Sequence, residues 1–91
     1  MKKILLFGVH PFISPDEKFM LFDFKGDIYI SYREDDGWGE PQKLNGSIDT
    51  EFPETCPTLS PDGKYLFFSR YNEPNNASNI YWVEADFINR K

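Results

Sequence analysis

The residues that could do chemistry in this chain are few and far apart. His10 is the only histidine and Cys56 the only cysteine. One imidazole with no second histidine or cysteine close by in sequence is a poor transition-metal site within a single chain, although a threefold assembly could bring three copies of His10 together. Cys56 lies between Thr55 and Pro57, just before an apolar strand, so we expect a packed side chain there and not a thiol nucleophile.

An acidic turn offers a second candidate site. In residues 34–37 the carboxylates of Asp35 and Asp36 could bind calcium, which takes oxygen ligands from alternating loop positions. The alternating aspartate spacing of strong calcium loops is missing, and acidic runs of this kind are more typical of a solvated hairpin tip. We therefore predict no metal and no other cofactor, with His10, Asp35 and Asp36 as weak metal candidates.

Three further residues could contact a ligand. Trp38 lies between two glycines, so its indole could stack on a carbohydrate or pack against a neighbouring sheet. Glu51 and Glu54 precede an apolar strand and could line a channel mouth, but only their proximity in sequence supports an acid and base pair. No nucleophile elbow, phosphate loop or paired-histidine zinc helix occurs. We predict that the protein is not an enzyme.

Composition limits the class of protein and its partners. The 91 residues are 40% hydrophobic and 18% aromatic, which is too rich in core-forming residues for a disordered chain. A formal net charge of −5 argues against nucleic acid or an anionic membrane as a partner. No stretch approaches the roughly 20 apolar residues of a membrane-spanning helix.

The first residues resemble the start of a signal peptide. Lys2 and Lys3 precede an apolar run over residues 4–9, but His10 and Pro11 end it before the roughly 7–15 apolar residues that a signal core needs. We interpret residues 3–9 as a strand, with a truncated signal as the alternative. The compartment is therefore left open.

An internal repeat organises the rest of the chain. Residues 11–22 align without gaps to residues 57–68, and residues 27–30 align to 79–82. Each copy contains a Ser-Pro-Asp turn, in which Gly63 of the second copy is expected to take the left-handed conformation. Glu17 stands at that position in the first copy, so its turn is either strained by about 1 kcal/mol or built differently.

The repeat predicts short strands and no helix. We expect strands at 11–14, 19–24, 27–33 and 41–44 in the first copy, and at 57–60, 65–70 and 79–85 in the second. Residues 19–24 and 65–70 are apolar at consecutive positions, which predicts burial on both faces. The two copies begin 46 residues apart, at residues 11 and 57. Four strands in a repeat of this length are typical of a propeller blade.

The motifs resemble those of TolB-like β-propellers. The resemblance is carried by residues 60–69 followed by 79–83, and by residues 27–31 followed by 37–44, which are similar to periplasmic members of that family. It implies a ring, commonly of six blades, that holds ligands or partner peptides at its central channel. It also implies a periplasmic location, whereas the short apolar run at the N-terminus favours the cytoplasm.

Two repeats cannot close such a ring, and the second lacks one strand. We therefore predict that residues 1–91 form one all-β propeller segment, with a first four-stranded blade at 11–44 and a second blade at 57–88 that receives residues 3–9 of a neighbouring copy. Three copies associated head to tail would close a six-bladed ring, each rotated by about 120°. The predicted interface consists of Lys3, Ile4, Leu5, Leu6, Phe7 and Val9 on one copy and Tyr81, Trp82 and Val83 on the other.

An isolated chain would expose aromatic blade faces, on which we expect Phe22, Phe24, Tyr65, Phe67 and Trp82. The predicted function is that of a non-enzymatic assembly module that binds a protein segment or a small ligand at the ring channel. The alternative is a catalytic or accessory propeller of a hydrolase or lyase whose site is generated by symmetry. A fragment that associates less regularly is a further possibility.

Overall fold

A computed structural model describes residues 9–44, 52–71, 78–86 and 88. All the regular structure in these ranges is β-strand, paired antiparallel in two curled sheets, which confirms the predicted all-β class. None of the described residues belongs to a helix that could cross a bilayer.

Five strands of the first sheet fall in the described residues. They are β1 (Val9–Ile13), β2 (Phe19–Phe24), β3 (Asp27–Glu34), β4 (Gly37–Trp38) and β5 (Gln42–Lys43). The sheet has the order β1-β2-β3-β4, and β5 also pairs with β3. The strand predicted at 41–44 is present in shorter form as β5, whereas β4 was not predicted. The two short strands pair with different parts of β3, β5 with Tyr29 and Ile30 and β4 with Arg33 and Glu34.

In the part of the chain that is described, the second sheet has three strands in the order β6-β7-β8, at Glu54–Leu59, Tyr65–Arg70 and Asn79–Glu84. The first strand of each sheet begins two or three residues earlier than predicted, at Val9 and Glu54. Val9, predicted as the last residue of the donated strand, therefore lies in β1, opposite Asp23.

The two Ser-Pro-Asp turns have the same construction. The backbone N–H of Glu17 donates to the Ser14 carbonyl at 2.8 Å, and that of Gly63 donates to the Ser60 carbonyl at 2.8 Å. Glu17 has φ 61° and Gly63 has φ 75°, so both are in the left-handed region. Of the two possibilities for the first turn, the structure shows the strained one, because a side chain at this φ costs about 1–2 kcal/mol.

The core lies between the two sheets. It contains Phe19, Leu21, Ile28 and Ile30 of the first sheet and Leu59, Leu66 and Phe68 of the second, with Ala85 and Ile88 from the chain after β8. β6 packs on β1 and β2. The inner strands of the two repeats therefore lie side by side.

Burial on both faces is confirmed for β2 and is wrong for β7. Met20 and Phe22, on the face of β2 that points away from the second sheet, are 3% and 1% exposed. The expectation that Phe22 lies on an exposed face is therefore wrong. In β7 the residues alternate, with Leu66 buried and Tyr65 and Phe67 exposed. Within the ranges that the structure describes, no element therefore covers this face of the second sheet.

A close backbone contact joins the sheets. Lys25 and Gly26 form the two-residue β2–β3 turn with φ of 51° and 85°, as type I′ turns require. The Gly26 carbonyl accepts a 2.8 Å hydrogen bond from the Glu54 backbone N–H. A Cβ on Gly26 would lie 3.1 Å from Pro53 Cα, so only glycine fits here without displacement.

Candidate functional site

His10 and Cys56 occupy the same position in the two repeats. Each stands immediately before an aligned proline, Pro11 or Pro57, on the first strand of its sheet. The pairing register shifts at both positions, and His10 and Cys56 have nearly equal φ values of 53° and 55°. Such bulges re-aim side chains at the edge of a sheet.

Both residues converge on Asp23, the next-to-last residue of the apolar strand β2. Asp23 is 4% exposed and its Oδ2 accepts a 2.8 Å hydrogen bond from the Cys56 backbone N–H. Nδ1 of His10 lies 2.9 Å from the same oxygen. One nitrogen, one oxygen and the sulfur of the three side chains all lie within 4.8 Å of one another. We call His10, Asp23 and Cys56 the joint cluster.

From sequence, His10 and Cys56 come together only as a thiol nucleophile with its base, an interpretation set aside in favour of a packed Cys56, and Asp23 is not a candidate. The structure shows Cys56 half-buried. Extending the repeat alignment back by one residue would have made His10 and Cys56 equivalent. A lone carboxylate between Phe22 and Phe24 in a buried strand was the other available signal.

The uncovered face of the second sheet is aromatic and apolar. It carries Tyr65, Phe67, Ile80 and Trp82, which we call the outward face and which are 37%, 36%, 78% and 59% exposed. The rings of Tyr65 and Trp82 meet edge to face with centroids 5.2 Å apart. Four apolar side chains grouped in this way are typical of an interaction surface.

The repeat gives this face a buried counterpart. Its four residues align with Phe19, Leu21, Ile28 and Ile30, each of which is at most 2% exposed in the core between the sheets. In the reverse direction, Leu59 is 8% exposed in that core, whereas its equivalent Ile13 in the first sheet is 48% exposed. Two surfaces are therefore exposed although their repeat equivalents are buried: the outward face of the second sheet and the side of the first sheet that carries Ile13.

The predicted interface residues of β8 do not all face outward. Trp82 belongs to the outward face, whereas Tyr81 and Val83 pack against the core on the opposite side. Tyr81 stacks on Phe68 with ring centroids 6.1 Å apart, and the Arg70 guanidinium lies 4.6 Å from its centroid. Lys3, Ile4, Leu5, Leu6 and Phe7 lie outside the described residues.

Glu54 is placed in the interior. It is fully buried, and its Oε2 accepts a 3.1 Å hydrogen bond from Arg70 Nε. The carboxylate therefore holds a cation that itself lies against the rings of Phe68 and Tyr81, and is not exposed to solvent. Glu51, its predicted neighbour at a channel mouth, lies outside the described residues.

The remaining candidates lie at the outer edge of the first sheet. Asp35 and Asp36 form the exposed β3–β4 turn. Among the described residues, the group whose possible ligand atoms lie within 4.8 Å of one another is the joint cluster, which does not include them. Trp38 is half-buried in β4, with the Arg33 guanidinium 5.4 Å from its ring centroid.

Comparison with known proteins identifies no relative. No protein-family model, no curated protein and no solved structure matches this chain.

Proposed function

We propose that this chain is a non-enzymatic assembly module whose copies associate head to tail. The outward face of one copy packs on the face of the first sheet of the next copy that carries Ile13. One observation carries this proposal: all four outward-face residues are exposed, whereas their repeat equivalents are buried in the joint between the two sheets of the chain.

The packing of the two sheets within one chain indicates how two copies would pack on each other. Within the chain, one face of the first sheet packs on the side of the second sheet that carries Leu59, Leu66 and Phe68. By repeat equivalence, the outward face would pack on the side of the next first sheet that carries Ile13. That side already buries Met20 and Phe22, so the neighbour has to cover Ile13 together with the half-buried Phe24 and Tyr29.

Such a contact joins two different surfaces of the chain. Because every copy carries both surfaces, each copy can bind one neighbour through each of them. With two blades in each chain, three copies form a closed ring when each joint rotates the next copy by about 120°. β8 is the edge of the second sheet in the described part of the chain. The residues that precede β1 in a neighbouring copy would extend that edge by strand addition.

The ring channel is the binding site in this proposal. The resemblance of residues 60–69 and 79–83 to TolB-like repeats supports a protein segment or a small ligand as the occupant. The first strands of the two blades lie next to each other, as strands around a common channel would.

Absolute mass in solution tests the assembly. Light scattering on the eluting 10.7 kDa chain is expected to give about three times the single-chain mass. Ile80→Lys places a charge on the outward face and is expected to reduce the mass to that of one copy. Asp36→Asn changes the net charge by the same amount at the exposed β3–β4 turn and should leave the mass unchanged. A wild-type chain that remains a single copy at all accessible concentrations would overturn the proposal.

A further inference from the structure

We propose that the joint cluster, made of His10, Asp23 and Cys56, binds a transition-metal ion of the Zn²⁺ type. All three ligands belong to one copy, so the site does not depend on the assembly proposed above. It joins the two sheets, since His10 and Asp23 lie in the first sheet and Cys56 lies in the second.

The side chains match the preference of this class of ion. Thiolate, imidazole and carboxylate groups are the three ligand types that zinc uses in proteins, whereas calcium and magnesium take oxygen ligands. Bonds of about 2.0–2.3 Å place the ligand atoms of tetrahedral zinc about 3.3–3.8 Å apart. The ligand atoms of the joint cluster lie within 4.8 Å of one another, so shifts of side-chain torsions bring them into range.

The backbone already directs the ligands to one point. The bulges at His10 and Cys56 are equivalent, and the Cys56 backbone N–H is fixed on the Asp23 carboxylate at 2.8 Å. This hydrogen bond is an outer contact of the kind that orients a ligating carboxylate. The imidazole and the carboxylate are in contact before any ion arrives, at 2.9 Å.

The cluster is accessible from solvent on one side. The His10 side chain is 53% exposed, whereas the Asp23 side chain is 6% exposed. An ion can therefore reach the cluster past the imidazole. Three protein ligands leave a fourth tetrahedral position for water, which is the composition of open zinc sites and not of closed structural ones.

The same residue types could also form a thiol nucleophile with its base. In that arrangement the imidazole stands between the thiol and the carboxylate and receives the thiol proton. Here one carboxylate oxygen contacts both the imidazole and the Cys56 backbone. The carboxylate, and not the imidazole, therefore lies between the other two residues. This arrangement favours binding of an ion by all three side chains over a thiol nucleophile with its base.

Cobalt titration of the metal-free chain tests the site. Co²⁺ replaces Zn²⁺ at tetrahedral sites and reports thiolate ligation by a charge-transfer band in the near ultraviolet. We expect this band to saturate at one ion per chain, to disappear on addition of Zn²⁺, and to be absent from Cys56→Ser. Zn²⁺ should also raise the melting temperature of the wild-type chain and not that of Cys56→Ser, because an ion that binds only the folded state stabilises it.

His10→Ala is the decisive variant, since its side chain is half-exposed and its loss leaves the core intact. Loss of this ligand should weaken Co²⁺ binding by at least about 10-fold, with an unchanged far-ultraviolet circular dichroism spectrum. Glu40→Gln, which removes an exposed carboxylate between β4 and β5, is the matched control and should bind as the wild type does. Absence of a saturable band would overturn the proposal, as would equal affinity in His10→Ala, which would indicate an ion on the thiol alone. The monomeric variant Ile80→Lys should bind the ion as well, which separates this test from that of the assembly.

Discussion

Glu17 holds the same left-handed backbone conformation as Gly63, its equivalent in the second repeat, with φ of 61° against 75°. The surrounding turn is also the same, because the hydroxyls of Ser14 and Ser60 donate to the aspartates two residues later at 2.7 and 2.6 Å. The side-chain hydrogen bonds thus impose on a glutamate a conformation that favours glycine.

Glu17→Gly is expected to stabilise the chain. Relief of a left-handed side chain gains about 1–2 kcal/mol, and the added freedom of glycine in the unfolded chain costs about 0.5–1 kcal/mol. The lost ion pair with Arg33, 3.7 Å long between exposed side chains, offsets little. We expect a net gain of about 0.5–1 kcal/mol in chemical denaturation. The reciprocal variant Gly63→Glu should lose stability, and equal midpoints for all three chains would show that the turn relaxes without cost.

Arg70 and Glu54 are expected to be strongly coupled in stability. Glu54 is fully buried and the Arg70 side chain is 13% exposed, so removal of either side chain takes a charge-assisted hydrogen bond out of the interior and leaves the opposite charge there. Arg70→Met and Glu54→Leu should each cost about 3–5 kcal/mol in denaturant unfolding. The double variant should be less destabilised than either single variant, because both charges are gone. Additive losses would show that the two side chains act independently.

Asp62 is expected to contribute to the acid sensitivity of the fold. The hydroxyl of Ser60 and the backbone N–H of Lys64 donate to its carboxylate and lower its pKa from 3.8. A folded-state pKa below the unfolded value means that the contribution is present above the unfolded pKa and is lost as the pH falls through the folded one.

Thermal melts of Asp62→Asn at a series of pH values measure this contribution. The variant should melt below the wild type at neutral pH, and the difference should shrink as the pH falls below about 4. A difference that stays constant down to the lowest pH would assign the effect to the shape of the side chain and not to its charge.

Mixing two monomeric variants distinguishes a head-to-tail contact from a symmetric one. Ile13→Lys blocks one face of the joint between copies and Ile80→Lys blocks the other, so each variant alone should have the 10.7 kDa single-chain mass. An equimolar mixture retains one intact pair of faces and should form a two-copy species of about twice that mass. If the outward faces paired with each other instead, Ile13→Lys would associate as the wild type does.

The strands and their turns could be predicted from local chemistry. The Ser-Pro-Asp motif and the glycine that follows it in the second repeat specify the reversals, and residues 19–24, 27–33 and 65–70 were placed within one residue of the strands observed. The early starts at Val9 and Glu54 were missed, because bulges at His10 and Cys56 extend the pairing across residues with no strand pattern.

Burial and the joint cluster depend on which surfaces meet. Tyr65 and Phe67 have the same apolar character as Phe19 and Leu21, but only the latter pair is covered by a sheet within the chain. No local pattern tells these cases apart. Likewise, His10 and Cys56 became neighbours through the packing of β6 on β1 and β2, a contact between the two repeats.

The hydrogen bond from the Glu54 amide to the Gly26 carbonyl links the two sheets, so we expect them to unfold together. In arrays of repeats, neighbouring units can open separately, so exchange of amide hydrogens then follows the opening of each unit. Here Pro53 is packed against Gly26 and the hairpin of the first sheet is tied to the first strand of the second. The Glu54 amide should therefore exchange only when the whole domain unfolds.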